Sequence, residues 1–332
     1  MSRQLSFGQA TLEAMRLAMA GDERVIVLGE DISFGGSFGQ FRGLRDEFGP
    51  ERVIDMPISE AIIVAASVGA ALTGLRPVAS MSFVEFTMGA MDEIVNQAAK
   101  LRYMSGGQVS VPMVLRASDG TLRSSAAQHS ESFEAIFCHI PGLKVVAPST
   151  PADAKGLLAA AIADDDPVVY LENKKIGSSR GEVPEGPYTF PLGQAVVRRE
   201  GTDATVLAYS IMARHAETAC AALAEEGIEA ELIDLRSLVP LDLDAIAASV
   251  RKTRRAVVCH ESWVSGGFGA EVAARITEEL FDVLEAPVAR VGARTAHIPF
   301  SPPLERAVVP QHEEIVDAVR HVVSRKEAHA SR

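Results

Sequence analysis

Asp55-Met56-Pro57-Ile58-Ser59-Glu60-Ala61-Ile62-Ile63-Val64-Ala65-Ala66 sets an acid at the mouth of a run that stays apolar through Leu72. Ser59 can cap a helix that starts here, and Gly74 with Pro77 can stop it. A helix that is apolar all round is expected to be buried, so its first-turn carboxylate, Glu60, is expected to leave water too. Burial favours the neutral form of an acid, whereas a helix N-terminus favours the charged form. A carboxylate under those opposed influences suits a hydrogen bond to a ring nitrogen or a proton transfer, and this makes Glu60 a site candidate. The same placement also suits an acid that caps its own helix or pairs with an arginine.

Working outward, short β-rich runs alternate with helical patterns. Residues 25–28, 111–115, 144–147 and 168–171 read as strands, and 6–20, 59–73, 87–103 and 151–163 as helices. This alternation predicts a mostly parallel sheet covered by helices. Residues 177–191, loosely rich in glycine and proline, break the pattern and read as a linker. The alternation then restarts, with strands at 204–208, 229–233 and 256–259 and helices at 213–226 and 242–250. Two α/β domains are expected, one over residues 1–190 and a smaller one over 192–332, with a polar tail from Ser324 that is expected to fray.

The 332 residues suffice for about two domains with sizeable cores. The net charge of −12 argues against a nucleic-acid surface, which needs clustered Lys and Arg. Cys138, Cys220 and Cys259 show neither disulfide nor zinc spacing and point to a reducing compartment. No stretch reads as a signal peptide or a membrane span, so a cytoplasmic, soluble protein is expected.

Open α/β sheets bind ligands in the loops that follow their strands. Gly29 to Phe41 mixes glycine with aromatics, without the dinucleotide spacing, and fits a loop over a cleft as well as a phosphate cradle. Arg116 to Ser132 is a long polar loop ending near His129, whose imidazole can exchange a proton near neutral pH. Cys259 to Glu271, with Gly266-Gly267-Phe268-Gly269, follows a strand and runs into a helix, where an anion could bind, but favours a structural role. Metal-ligand spacing is absent, as is a Gly-Asp-Gly with a distant Asn, the pattern that holds magnesium and diphosphate in enzymes using thiamine diphosphate.

Several collinear motifs then carry a resemblance. They are Asp55 to Glu60, Gly74-Leu75-Arg76-Pro77, Ala98-Ala99-Lys100, Tyr103 to Gly107, Ala127-Gln128-His129-Ser130, Pro141 to Val146 and Leu171-Glu172-Asn173. Through nearly its whole length the chain resembles the beta subunit of the thiamine-diphosphate-dependent 2-oxo acid dehydrogenases of the pyruvate, branched-chain and acetoin complexes. The resemblance implies a pyrimidine-binding α/β domain followed by a transketolase C-terminal-like domain. It also implies assembly with an alpha subunit as an α2β2 heterotetramer that serves a lipoyl acyltransferase core. The alpha chain of such an enzyme grips magnesium and diphosphate, and the beta chain holds the aminopyrimidine.

By position, Glu60 matches the family glutamate that hydrogen-bonds the pyrimidine nitrogen, and His129 matches the histidine that faces substrate or lipoyl group. Phe86 and Phe83 fall at aromatic contacts to the pyrimidine. The backbone carbonyls of Met113, Ala161, Ile162, Asp164 and Asp166 match a structural potassium site of some members. Three departures stand out: Arg116 to Ser125, whose Arg123 could meet a substrate carboxylate or merely solvent, stands where the family often has a more glycine-rich Arg-Gly-Pro or Arg-Thr-Pro, Lys174-Lys175-Ile176-Gly177 replaces a more apolar stretch, and Ser80 a frequent glutamate. They leave the substrate open, with pyruvate ahead of acetoin and branched-chain 2-oxo acids. A non-catalytic assembly subunit is the alternative of another class. A self-sufficient transketolase-like enzyme is disfavoured by length and by the missing magnesium motif.

Overall fold

The computed structural model describes the backbone of residues 2–330 and the side chains of 3–324. In chain order its strands are β1 (Ser2–Ser6), β2 (Val25–Gly29), β3 (Val53–Asp55), β4 (Arg76–Met81), β5 (Val114–Asp119), β6 (Lys144–Val146), β7 (Val168–Asn173), β8 (Arg180–Pro184), β9 (Val196–Arg199), β10 (Ala204–Ala208), β11 (Ala230–Asp234), β12 (Ser237–Val239), β13 (Ala256–Trp263) and β14 (Ala289–Ala293). They divide between two compact units.

The first unit carries a sheet in the order β12-β6-β7-β5-β4-β2-β3, with β6 through β3 parallel. Val25, Val27, Val78, Val114 and Val168 are buried along these strands. A parallel sheet is covered on its faces by crossover helices, which is why its strands read as continuous apolar runs. Met15 and Met19 from the helix Phe7–Gly21, with Leu157 and Leu158 from Pro151–Ala163, fill one side. Thr150 caps that second helix by accepting from the Asp153 N–H.

The second unit carries the order β14-β13-β10-β11-β9, parallel except for the antiparallel edge strand β9. Val206, Leu232 and Val257 pack there with Met212 and Leu223 of the helix Ser210–Glu225 and Val319 of the helix His312–Ala330.

Two segments cross the boundary expected near residue 190. Gly120–Ala135 belongs to the second unit, and Leu238–Pro240 belongs to the first, where β12 forms a sheet edge. The expected linker is partly ordered sheet, because β8 pairs antiparallel with β1. The strand expected at 111–115 begins at Val114, consistent with Pro112 having no N–H to donate to a ladder. The helix expected over 87–103 is a 3₁₀ stretch Val84–Ala90, a π turn Glu93–Ala98 and an α turn Leu101–Met104. Apolar spacing does not separate those neighbouring hydrogen-bond patterns. The tail from Ser324 enters the helix His312–Ala330, and the side chains beyond Ser324 lie outside the described residues.

Candidate active site

Glu60 opens the helix Glu60–Leu72 directly after β3, in the first unit. Ser59 occupies the cap position, yet its side chain makes no capping hydrogen bond, with φ −167° and ψ 75°. The capping expected of Ser59 is therefore absent, which leaves the first-turn N–H groups without that acceptor. At the other end Gly74 adopts φ +97°, a left-handed turn that glycine takes without strain, and the Leu75 N–H returns to the Ala70 carbonyl.

Only one side of this helix is covered by its own chain. Ile63, Val64, Ser67, Val68 and Ala71 are buried, while Ile62 is 54% and Leu72 42% exposed, with Ala65 and Gly69 also open. The expectation of burial all round thus fails for the chain by itself. Glu60 is half-buried, and among the described residues its carboxylate enters no hydrogen bond or ion pair. It neither caps its helix nor meets an arginine. Glu30, just after β2, feels its charge: burial first, then the Asp31 and Glu60 carboxylates, raise the Glu30 carboxyl above its ordinary range.

Phe83 and Phe86 follow β4 in the same unit, their rings edge-on with centroids 5.5 Å apart. Phe38, from the glycine-rich loop after β2, adds a third ring 5.8 Å from Phe83, and Ser37 Oγ meets Ser82 Oγ at 3.0 Å. The loop from Gly29 to Phe41 thus leans on the predicted aromatic pair. Lys174 Nζ lies 4.8 Å from the Phe83 ring centroid and 3.4 Å from Glu85 Oε1, and its side chain is fully buried. A cleft of about 750 Å³ at the C-terminal ends of β5 and β7 is lined by Phe38, Gln40, Arg42, Ser118 and Lys174 among others. The carboxyl edge of a parallel sheet is the usual ligand position in open α/β folds. Phe38 and Lys174 were not among the residues expected from sequence. The glycine-rich loop marked the first, and the departure at 174–177 marked the second.

His129 ends a short turn, Ala127–His129, and is half-buried with Nδ1 wholly covered. It belongs to the second unit, whereas Glu60, Phe83 and Phe86 share the first. Arg123, a candidate for a substrate carboxylate, is exposed.

The five carbonyls of the expected potassium site lie in the first unit, around the C-terminus of the helix Pro151–Ala163 and the start of β7. Those of Met113 and Ala161 accept from the Val168 and Asp164 N–H groups, and those of Ile162 and Asp164 from Arg76, at 3.1 and 2.9 Å. The three cysteines are free thiols. Burial pushes Cys220 up to about 11 and Cys259 higher, so neither is reactive near neutral pH.

The Gly266-Gly267-Phe268-Gly269 turn is accounted for by packing. A Cβ on Gly267 would fall 2.2 Å from the Trp263 carbonyl, and one on Gly269 2.4 Å from His260 Cδ2. No helix among the described residues is long and apolar enough to cross a membrane.

Residues 3–178 match the transketolase pyrimidine binding domain, and residues 193–315 match the transketolase C-terminal domain. The chain is 45% identical over 329 residues to the acetoin:2,6-dichlorophenolindophenol oxidoreductase subunit beta of Bacillus subtilis, covering 95% of this chain and 96% of that protein. It is 42% identical over 320 residues to the pyruvate dehydrogenase E1 component subunit beta of Rickettsia felis, covering 96% and 98%. A solved structure described as a split gene transketolase, inactive beta4 tetramer, superposes with a TM-score of 0.78 at 25% identity over 96% of this chain and 98% of that one. With both domains matched in order and beta-subunit relatives matched almost end to end, the chain belongs to the beta subunits of the thiamine-diphosphate-dependent 2-oxo acid dehydrogenase family.

Proposed function

We propose that this chain supplies the aminopyrimidine side of a thiamine diphosphate site completed by an alpha subunit. The assembled enzyme would oxidatively decarboxylate a 2-oxo acid, pyruvate first, and pass the acyl group to a lipoyl arm. The observation that carries the reading is the disengaged, half-buried carboxylate of Glu60 at the start of the helix Glu60–Leu72, in the same unit as the Phe38-Phe83-Phe86 cluster.

These residues fit an aminopyrimidine. A carboxylate free of internal partners can take a hydrogen bond from a protonated ring nitrogen, and aromatic edges and faces suit a flat heterocycle. When bound, thiamine diphosphate supplies the electron sink that decarboxylation requires. Glu60 would hold the proton at the pyrimidine nitrogen, Phe83 and Phe86 would orient the ring, and His129 would donate or accept a proton at substrate or lipoyl group. Magnesium and diphosphate would be held by the alpha subunit, since the sequence carries no motif for them. Acetoin is the runner-up substrate on the strength of the relative named as an acetoin:2,6-dichlorophenolindophenol oxidoreductase subunit, and branched-chain 2-oxo acids stand behind it.

Glu60→Gln and Glu60→Ala, reconstituted with the alpha subunit, are expected to lose decarboxylation by roughly a hundredfold or more, the usual scale for a lost proton-transfer group. Assembly, read by light scattering, should be unchanged. Near-normal turnover in either variant would exclude the reading. An activity panel over pyruvate, acetoin and branched-chain 2-oxo acids then assigns the substrate.

A potassium ion at the carbonyls of Met113, Ala161, Ile162, Asp164 and Asp166 belongs to the same proposal. Each accepting carbonyl keeps a second lone pair, and a helix C-terminus favours a cation. The ion would share the site with Arg76. Potassium chloride is therefore expected to raise Tm above that in sodium chloride at equal ionic strength. Equal melting in the two salts would mean that the hydrogen bonds already present suffice.

A further inference from the structure

The segment Gly120–Ala135 holds an unfavourable backbone shape. Ser124 has φ 52°, and Ala126, at φ 57° and ψ −164°, sits where essentially only glycine is comfortable. Such a conformation persists only when its surroundings impose it, and here they are carboxyl groups and a hydroxyl of the second unit. Glu261 Oε1 accepts from the Thr121 N–H at 3.2 Å and from its hydroxyl at 2.5 Å. Glu305 Oε2 accepts from the Ser124 N–H at 3.2 Å, and Ser262 Oγ donates to the Ser132 carbonyl at 3.1 Å. At the segment's far end its own Glu134 turns inward, 1% exposed, and accepts from the Tyr209 hydroxyl at 2.7 Å, while Oε2 has no hydrogen-bond partner among the described residues.

A buried carboxylate without a countercharge is expensive, whereas a buried carboxylic acid is not. Among the described residues, the titratable groups that act on Glu134 are Tyr209, just before the helix Ser210–Glu225, and Glu261 on β13, with no lysine, arginine or histidine among them.

We propose that Glu134 is a positioning residue: as a neutral acid it anchors the strained Gly120–Ala135 segment to the second unit and so fixes the turn that presents His129. The catalytic relevance of that turn rests on the function proposed above, but the anchor itself does not. Burial first, and then the charge of Glu261, push the Glu134 carboxyl up to about 7, against the lowering effect of the Tyr209 hydrogen bond. The sign follows from linkage. The anchored form holds its proton more tightly than the released form, so the anchor is strongest below the ordinary glutamate range. It weakens as pH rises toward 7 and changes little above that.

Hydrogen exchange on the full chain tests this. After correction for intrinsic exchange, opening of peptides within 121–133 should rise roughly tenfold per pH unit between about pH 5 and 6.5 and level off above 7. In Glu134→Gln, whose amide can still accept from Tyr209 but carries no charge, the same profile should be flat. Protection that is independent of pH in the unmodified chain would overturn the anchor, even if Glu134→Gln folds poorly. So would an identical slope in a folded Glu134→Gln. If exchange behaves as stated but the pH profile of kcat in the assembled enzyme is the same for both proteins, the anchor stands and the role given to His129 falls.

Discussion

His260 sits on β13 with no exposure, walled by backbone: Cβ atoms on Gly267, Gly269 and Gly292 would each come within 2.8 Å of its ring. Gly269→Ala is expected to destabilise the second unit by about 1–3 kcal/mol, the usual cost of overpacking, read as a lower urea midpoint. Burial pushes the His260 imidazole down to about 4. The unfolded chain then binds a proton that the folded chain refuses, so stability is lost as pH falls from about 6.5 toward 4, by on the order of 3 kcal/mol. Glu134 works in the opposite sense over much of that window. The difference between the native chain and His260→Gln isolates the histidine, and its acid-side loss should shrink in the variant; equal losses would refute the assignment. At this scale the sequence was informative where chemistry is local. Glu60 stands out as an acid opening an apolar run, whereas Lys174 became meaningful only beside Phe83 and Glu85, some ninety positions away.

The helix Glu60–Leu72 combines a covered side with an open stripe through Ile62, Ala65, Gly69 and Leu72, positions three and four apart that share one face, and Ile58 just before it is exposed as well. Its sequence gives equal apolarity to both sides, and only the fold shows which side the chain itself covers. An exposed stripe of this kind suits a second polypeptide. Ile62→Asp is expected to block assembly with the alpha subunit in light scattering while shifting the isolated chain's stability by no more than about 0.5 kcal/mol, as surface changes do. Intact assembly would place the interface elsewhere. Other elements were legible to different degrees. The helix 151–163 and the strand 204–208 have capping or patterning signals at both ends, and the structure gives them the same limits. The pairing of β1 with β8 joins segments about 180 positions apart, and no local pattern encodes it.

Across the molecule, the alternation of strands and helices announces two parallel α/β sheets, because a sheet covered on both faces needs continuous apolar strands. What it does not announce is membership. Gly120–Ala135 and Leu238–Pro240 each serve the unit on the far side of the expected boundary, since their partners are acids and strand edges remote in sequence. For anyone dissecting the gene this has a practical result. A cut near codon 190 leaves the upstream product carrying a crimped stretch whose seat has been removed and a sheet missing its outermost ribbon. The downstream product loses the stretch that its glutamates were built to grip. Neither half of the reading frame encodes a finished piece, so excising either one is a poor route to an autonomous fragment.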